Sequence, residues 1–130
     1  MCSSDLSARR RRITYEAGLK AEMAVRTVIE ADGWRILGQR LRTPAGEIDL
    51  AAERDGLLVL IEVKARPRLA EAAFALTDRQ RRRLAGACDI LLAEHPDWGV
   101  EGVRFDLFVV DQSGRMRRIA DAFRAGDMVG

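Results

Sequence analysis

From Thr14 to Ala31 apolar residues recur at offsets of three and four, with Ala21, Ala24, Val25, Val28 and Ile29 forming a stripe before Asp32-Gly33. That spacing predicts a helix with a glycine stop. The period then changes. Trp34 to Leu41 reads as a strand and Thr43-Pro44-Ala45-Gly46 as a turn. Glu47 to Ala52 alternates in character, and Leu57 to Val63 is a near-continuous apolar run. Asp55-Gly56 between them is a strong signal for a two-residue hairpin loop. Arg66-Pro67 ends the second of these strands, and a connector covers Arg68 to Leu76.

Thr77 opens a second helix, which runs to Glu94 with a buried stripe of Leu84, Ala87, Cys88, Leu91 and Leu92 and is closed by His95-Pro96. Val103 to Val110 reads as a strand, and a further short strand is expected near Arg117 to Ala120. The order α-β-β-β-α-β predicts an α/β domain around a central mixed sheet flanked by helices.

Composition narrows the class. At 130 residues, 48% hydrophobic and 32% charged, the chain has the size and balance of one globular domain. No apolar run approaches the roughly 18–20 residues that span a membrane. The start, MCSSDLSARRRR, is charged with no apolar stretch after it, unlike a secretory signal. A cytoplasmic protein is therefore expected, with residues 1–13 a basic disordered segment and 14–130 the domain. Residues Cys2 to Leu6 read like the translated end of a common sequencing adapter and are given no functional weight. Cys2 and Cys88 have neither a CxxC spacing nor a histidine pair, so neither a disulfide framework nor a zinc site is expected.

The net charge of +2 does not by itself argue for nucleic acid. Lysine occurs only at positions 20 and 64, and arginine clusters at Arg9 to Arg12, at Arg79 with Arg81 to Arg83, and at Arg115, Arg117 and Arg118. Such runs are usually solvated faces.

The hairpin carries the chemistry. With Asp55 and Gly56 as loop residues, Asp49 falls opposite Glu62 and Glu47 opposite Lys64, all on one face. One reading is a Glu47–Lys64 bridge with a solvent-facing Asp49, although Asp49 would still face Glu62, and like charges in that relation are destabilising. The other is a divalent cation between the two carboxylates, for which Mg²⁺ is suited. The residue pattern leaves both open. Nucleophilic triads are unsupported, because no G-x-S-x-G element is present and the one histidine, His95, follows a helix as a surface or capping residue.

Gly46-Glu47-Ile48-Asp49 followed by Glu62-Val63-Lys64 resembles the acid and E-x-K elements of the PD-(D/E)XK nuclease superfamily. In more detail, the chain is similar to the YraN family of small bacterial endonuclease-like proteins, related to Holliday-junction resolvases. Four ordered blocks carry the resemblance: Gly18 with Glu22 and Ala24, then GEIDL at 46–50, IEVKAR at 61–66 and RFD at 104–106. It implies a restriction-endonuclease-like core and metal-dependent hydrolysis of DNA phosphodiester bonds. Glu22, Asp49, Glu62 and Lys64 would be the catalytic set. Asp49, Glu62 and the Val63 carbonyl would hold one or two Mg²⁺ or Mn²⁺ ions, and Lys64 would orient or help deprotonate the attacking water, or stabilise charge on the phosphate.

With that site in place, Arg66, Arg79, Gln80 and Arg83 become candidates for nucleic-acid contact, giving affinity without sequence information. Gln80 has a competing role in a Thr77-x-x-Gln80 capping box. Aromatics at 5% argue against a single-strand stacking platform, and Trp34 and Trp98 are expected in core or hinge positions. The expected partner is nucleic acid, DNA first, without a membrane. Because resolvase-like relatives act as dimers on two-fold junctions, the resemblance also brings in a homodimer. The competing function is a non-catalytic nucleic-acid-binding module that keeps the nuclease fold and acts through a partner.

Overall fold

The computed structural model describes residues 3–70 and 76–123. In chain order the elements are α1 (Ser3–Ala31), β1 (Arg35–Thr43), β2 (Gly46–Arg54), β3 (Leu57–Ala65), α2 (Asp78–Glu94), β4 (Gly102–Val110) and β5 (Met116–Phe123). The expected order is present, with the short last strand lengthened into a full fifth strand. One boundary differs: α1 begins at Ser3 rather than Thr14, so the arginine run at 9–12 is helical and exposed. Arginine is a good helix former, and a helix nucleated on packed residues can extend along such a stretch without burying it. Part of the connector expected over Arg68 to Leu76 lies outside the described residues.

The strands form one sheet in the order β1-β2-β3-β4-β5. Only β3 and β4 are parallel, since α2 provides the crossover that parallel neighbours need; the other pairs are antiparallel. The Asp55-Gly56 loop has φ of 53° and 80°, the two positive values of a tight hairpin turn whose twist suits the strands. Arg54 pairs with Leu57 and Leu50 with Ile61, the expected register.

Helices cover both faces of the sheet. Ala21, Val25 and Ile29 of α1 pack with Leu50, Val59, Ile61 and Phe108. On the other face Leu84, Ala87, Cys88 and Leu91 of α2 pack with Ile48, Leu58, Leu60, Phe105 and Leu107. This explains the continuous apolar run in β3: as the middle strand it is buried from both sides. Trp34 is buried in the α1-side core, with the guanidinium of Arg54 4.5 Å and that of Arg104 5.5 Å from its ring centre. Trp98 stacks on His95 at 3.9 Å just beyond α2, where the His95 amide also bonds the Leu91 carbonyl. No helix among the described residues is long and apolar enough to cross a membrane.

Two elements are pinned by polar devices. Thr77 and Gln80 form the reciprocal capping box at the start of α2: the Thr77 amide donates to Gln80 Oε1 at 2.8 Å, and the Gln80 amide to Thr77 Oγ1 at 3.2 Å. On β4, Asp106 is 2% exposed and accepts from Arg104, Arg118 and the Asp121 amide. A buried carboxylate is tolerable only with such partners, and these bonds bridge the register shift between β4 and β5.

Candidate active site

Glu62 and Lys64 lie near the end of β3, spaced by two and so on one face. That face is the α2 side, as shown by Leu58 and Leu60 of the same parity. They are 14% and 19% exposed, and Lys64 Nζ is 3.0 Å from Glu62 Oε1. The other carboxylate oxygen, Glu62 Oε2, is buried with no hydrogen-bond partner among the described residues. A buried polar atom left without a partner is costly.

Asp49 reaches Glu62 through a local distortion. The β2–β3 ladder stops at Leu50–Ile61, and beyond it the Val63 amide donates to Asp49 Oδ2 at 2.8 Å instead of to a strand carbonyl. Ile48 packs on the α2 side but Leu50 on the α1 side, although residues two apart should share a face, so β2 turns over at Asp49. On β1 the distortion is matched by Arg40 with φ of +50°, at the position facing Asp49 between the Leu41–Ile48 and Gln39–Leu50 pairs. A left-handed non-glycine residue stores roughly 1–3 kcal/mol of strain, and such residues collect at functional sites.

Glu22 approaches from α1, near enough for its charge to act on Asp49. Its Oε2 accepts from Arg40 Nε at 3.1 Å and Nη2 at 3.0 Å, while Arg40 Nη1 donates to the Tyr15 hydroxyl at 3.2 Å. Arg40 was not among the expected site residues. Its signal lay in the Thr43–Gly46 turn: the register that pairs those two residues also sets position 40 opposite Asp49.

Burial pushes the Asp49 carboxyl up to about 7, with the charges of Glu62 and Glu22 adding to the rise and the Val63 amide and Lys64 opposing it. Burial likewise raises the Glu62 carboxyl, against the pull of Lys64, a hydrogen-bonding contact with Asp49 and the charge of Arg83. Taking both carboxyls out of water is what makes each resist ionisation.

A cavity of about 220 Å³ opens at this point, lined by Gly46, Glu47, Asp49, Glu62, Gln80, Arg83 and Leu84. The Glu47–Lys64 bridge, one of the two readings of the hairpin, is absent: Glu47 pairs with Arg42 at 3.4 Å and Lys64 with Glu62, because the ladder ends before their positions are reached. Of the four expected nucleic-acid contacts, Gln80 and Arg83 line the cavity. Gln80 commits its Oε1 to the capping box, which leaves its amide nitrogen as the group it can offer there. Arg66 is half-buried and donates to the neighbouring Ala65 carbonyl, and Arg79 is exposed on the first turn of α2; neither lines the cavity. Val63 supplies its amide to Asp49 and turns its side chain to the α1 side. Among the described residues no three His, Cys, Asp or Glu side chains are grouped to hold a metal, so the acid pair of Asp49 and Glu62 is the core of the donor set.

Comparison with known proteins places this arrangement in a family. A model of uncharacterised protein family UPF0102 matches residues 21–110, a span that holds Glu22, Arg40, Asp49, Glu62 and Lys64. A UPF0102 protein of Granulibacter bethesdensis is 62% identical over 107 residues, covering 82% of this chain and 68% of that protein. One from Azorhizobium caulinodans is 48% identical over 120 residues, 92% of each chain. One from Acidiphilium cryptum is 44% identical over 124 residues, 95% of this chain and 96% of its own.

Proposed function

The chain belongs to the uncharacterised protein family UPF0102, and from that premise we propose that it is a metal-dependent endonuclease acting on DNA phosphodiester bonds. The observation that carries this reading is the buried Asp49–Glu62 pair with an orphaned Glu62 Oε2 and Lys64 beside it. The residues present fit Mg²⁺ or Mn²⁺. Hard divalent cations take one or two carboxylates plus water and phosphate oxygens. A cation would supply the missing partner for Oε2 and relieve the repulsion between the acids. The Val63 carbonyl, next to Glu62 in the chain, is the candidate third ligand.

When bound, the ion supplies Lewis-acid stabilisation of phosphate charge and a more acidic water. The protein groups do the rest. Asp49 is held in place by the Val63 amide, so its second oxygen is presented in a fixed direction. Lys64, tethered to Glu62, carries positive charge to where a non-bridging phosphate oxygen accumulates negative charge, and its ammonium can orient the attacking water. Arg83 and the Gln80 amide at the cavity edge are suited to flanking phosphates, contacts that give affinity without base information.

The test is cleavage of branched, duplex and single-stranded DNA by wild type and Asp49→Ala, each with Mg²⁺ or Mn²⁺ and with EDTA. The reading requires metal-dependent cleavage that Asp49→Ala loses by about 10²-fold or more, the scale of a lost transition-state electrostatic contact. Cleavage indifferent to the substitution would falsify it. One observation favours the alternative of a non-catalytic nucleic-acid-binding module: among the described residues no three His, Cys, Asp or Glu side chains are grouped closely enough to hold a metal. Metal-independent DNA binding without cleavage is the outcome that reading predicts.

A further inference from the structure

The N-terminal half of α1 stands off the body of the protein. Ala21, Val25 and Ile29 are buried against the sheet, whereas every residue from Leu6 to Ala17 is exposed. Two ion pairs fix the direction in which the helix leaves. Just past its C-terminus, Asp32 is 3.2 Å from Arg54, beside the Asp55-Gly56 hairpin loop. Farther back along α1, Glu22 holds Arg40, which lies across from Asp49. The helix therefore runs along β2 from the hairpin loop toward the Asp49 end of the sheet. Arg40 Nη1 donates to the Tyr15 hydroxyl at 3.2 Å, which ties the helix once more before it overhangs.

Arg9, Arg10, Arg11 and Arg12 occupy the overhanging turns, about 15–20 Å from Glu22 along the axis at roughly 1.5 Å per residue. Successive residues of a helix are turned by about 100°, so the four guanidinium groups point to all sides. None is in an ion pair among the described residues, unlike Arg26 with Glu30 on the packed half. Like charges within one turn repel, so the run is suited to an external polyanion. A flat anionic surface meets one side of a helix, and helices that lie on membranes keep an apolar side to face it. Here Leu6 and Ile13 share a side, but positions 9 and 10 between them are arginines. The DNA major groove, about 12 Å wide between two rows of phosphates, admits a whole helix. We propose that the overhanging half of α1 is a DNA-binding arm: Arg9 to Arg12 enter the major groove of the duplex flanking the cleaved bond, about half a helical turn away. This rests on the DNA reading above and adds a surface remote from the acid pair. The major groove of duplex RNA is too narrow for side chains to read, so the arm favours DNA.

Fluorescence anisotropy of the full chain in EDTA, on a DNA duplex of about two turns and the same sequence as RNA, tests the arm. The combined variant Arg9→Gln/Arg10→Gln/Arg11→Gln/Arg12→Gln keeps good helix formers at exposed positions. It should bind DNA about tenfold or more weakly at roughly 0.1 M salt, with the slope of log K against log salt lower by about 2–3, at roughly 0.9 for each phosphate contact. Its loss on duplex RNA should stay below about threefold. Ile13→Pro keeps all four arginines but breaks the helix between them and Tyr15. It should also weaken DNA binding, which a structureless basic tail would not do; thermal melts check that the packed half of α1 survives in both variants. Unchanged DNA affinity and slope in the glutamine variant, equal losses on DNA and RNA, or full affinity in Ile13→Pro would each overturn the proposal. Arginine-dependent binding to phosphatidylserine vesicles with DNA affinity unchanged would place the arm on a membrane instead. Cleavage assays keep the two readings apart. Arm-dependent DNA binding without cleavage would remove the nuclease and leave the arm, cleavage with arm-independent binding would do the reverse, and no DNA binding by wild type would remove both.

Discussion

Asp49 Oδ2 accepts the Val63 backbone amide at 2.8 Å, so a side chain completes the hydrogen bonding where the β2–β3 ladder has ended at Leu50–Ile61. The acid is thereby both a structural acceptor and one half of a repulsive pair with Glu62. Asparagine at position 49 keeps an acceptor oxygen for Val63 but removes the repulsion. Above pH 7, where Asp49 is ionised, Asp49→Asn is expected to stabilise the protein in EDTA by up to about 1 kcal/mol, the scale of a neighbouring like-charge pair on adjacent strands. Asp49→Ala, which strips Val63 of its acceptor, should be less stable than Asp49→Asn. Thermal melts of both variants in EDTA check the order; an Asn variant less stable than wild type would show that the carboxylates do not repel.

Asp106 binds β5 to β4 through two arginines and the Asp121 amide. Asp106→Ala removes one partner of a buried ion-paired group and leaves Arg104 and Arg118 facing each other. The expected loss is about 3–5 kcal/mol. Urea unfolding measures it, and amide exchange should show β5 opening before β3. A loss below about 1 kcal/mol, the scale of an exposed ion pair, would mean that water replaces the carboxylate readily.

The capping box separates two roles of Gln80. Thr77→Ala should cost about 1 kcal/mol through α2 without altering nucleic-acid affinity, because Thr77 does not line the cavity. Gln80→Ala should also destabilise α2. If its amide contacts phosphate, the same substitution should weaken DNA binding, read by fluorescence anisotropy at fixed salt. Equal affinities for the two variants would assign Gln80 to capping alone.

Burial, with the charge of Asp89 adding, pushes the Cys88 thiol up to about 11 from an ordinary value of 9.0. Between those values the folded state holds a proton that the unfolded chain has released. Stability from this group is therefore full below pH 9 and lost as pH rises toward 11. The full linkage is about 2–3 kcal/mol. Cys88→Ala removes it, so the stability difference between the two proteins should shift against wild type from pH 8 to pH 10.5. Denaturant titrations at both pH values measure this, and parallel pH profiles would contradict a buried neutral thiol.

Much of the molecule followed from local pattern. Helix periodicity located α2 and the packed part of α1, and the Asp55-Gly56 pair set the hairpin register because its two positive φ values admit few alternatives. Alternation then placed Glu62 with Lys64, and the capping box was legible since both partners lie within four residues. These features depend on near neighbours and on a period.

Tertiary structure decided the rest. The turnover of β2 at Asp49 leaves no mark on the alternation of a short strand, and it ended the ladder before Glu47 could face Lys64. The ion pair of Glu22 with Arg40 joins residues 18 apart through the packing of α1 on the sheet, which no local rule reports. Asp106 draws one of its partners, Arg118, from β5, a strand 12 residues on whose pairing no local pattern reports. The Asp49–Glu62 juxtaposition could be read from the sequence because a tight turn limits how its strands pair. Its burial, and the charge of Glu22 beside it, arise only when both helices close over the sheet and remove the water that would have screened these groups.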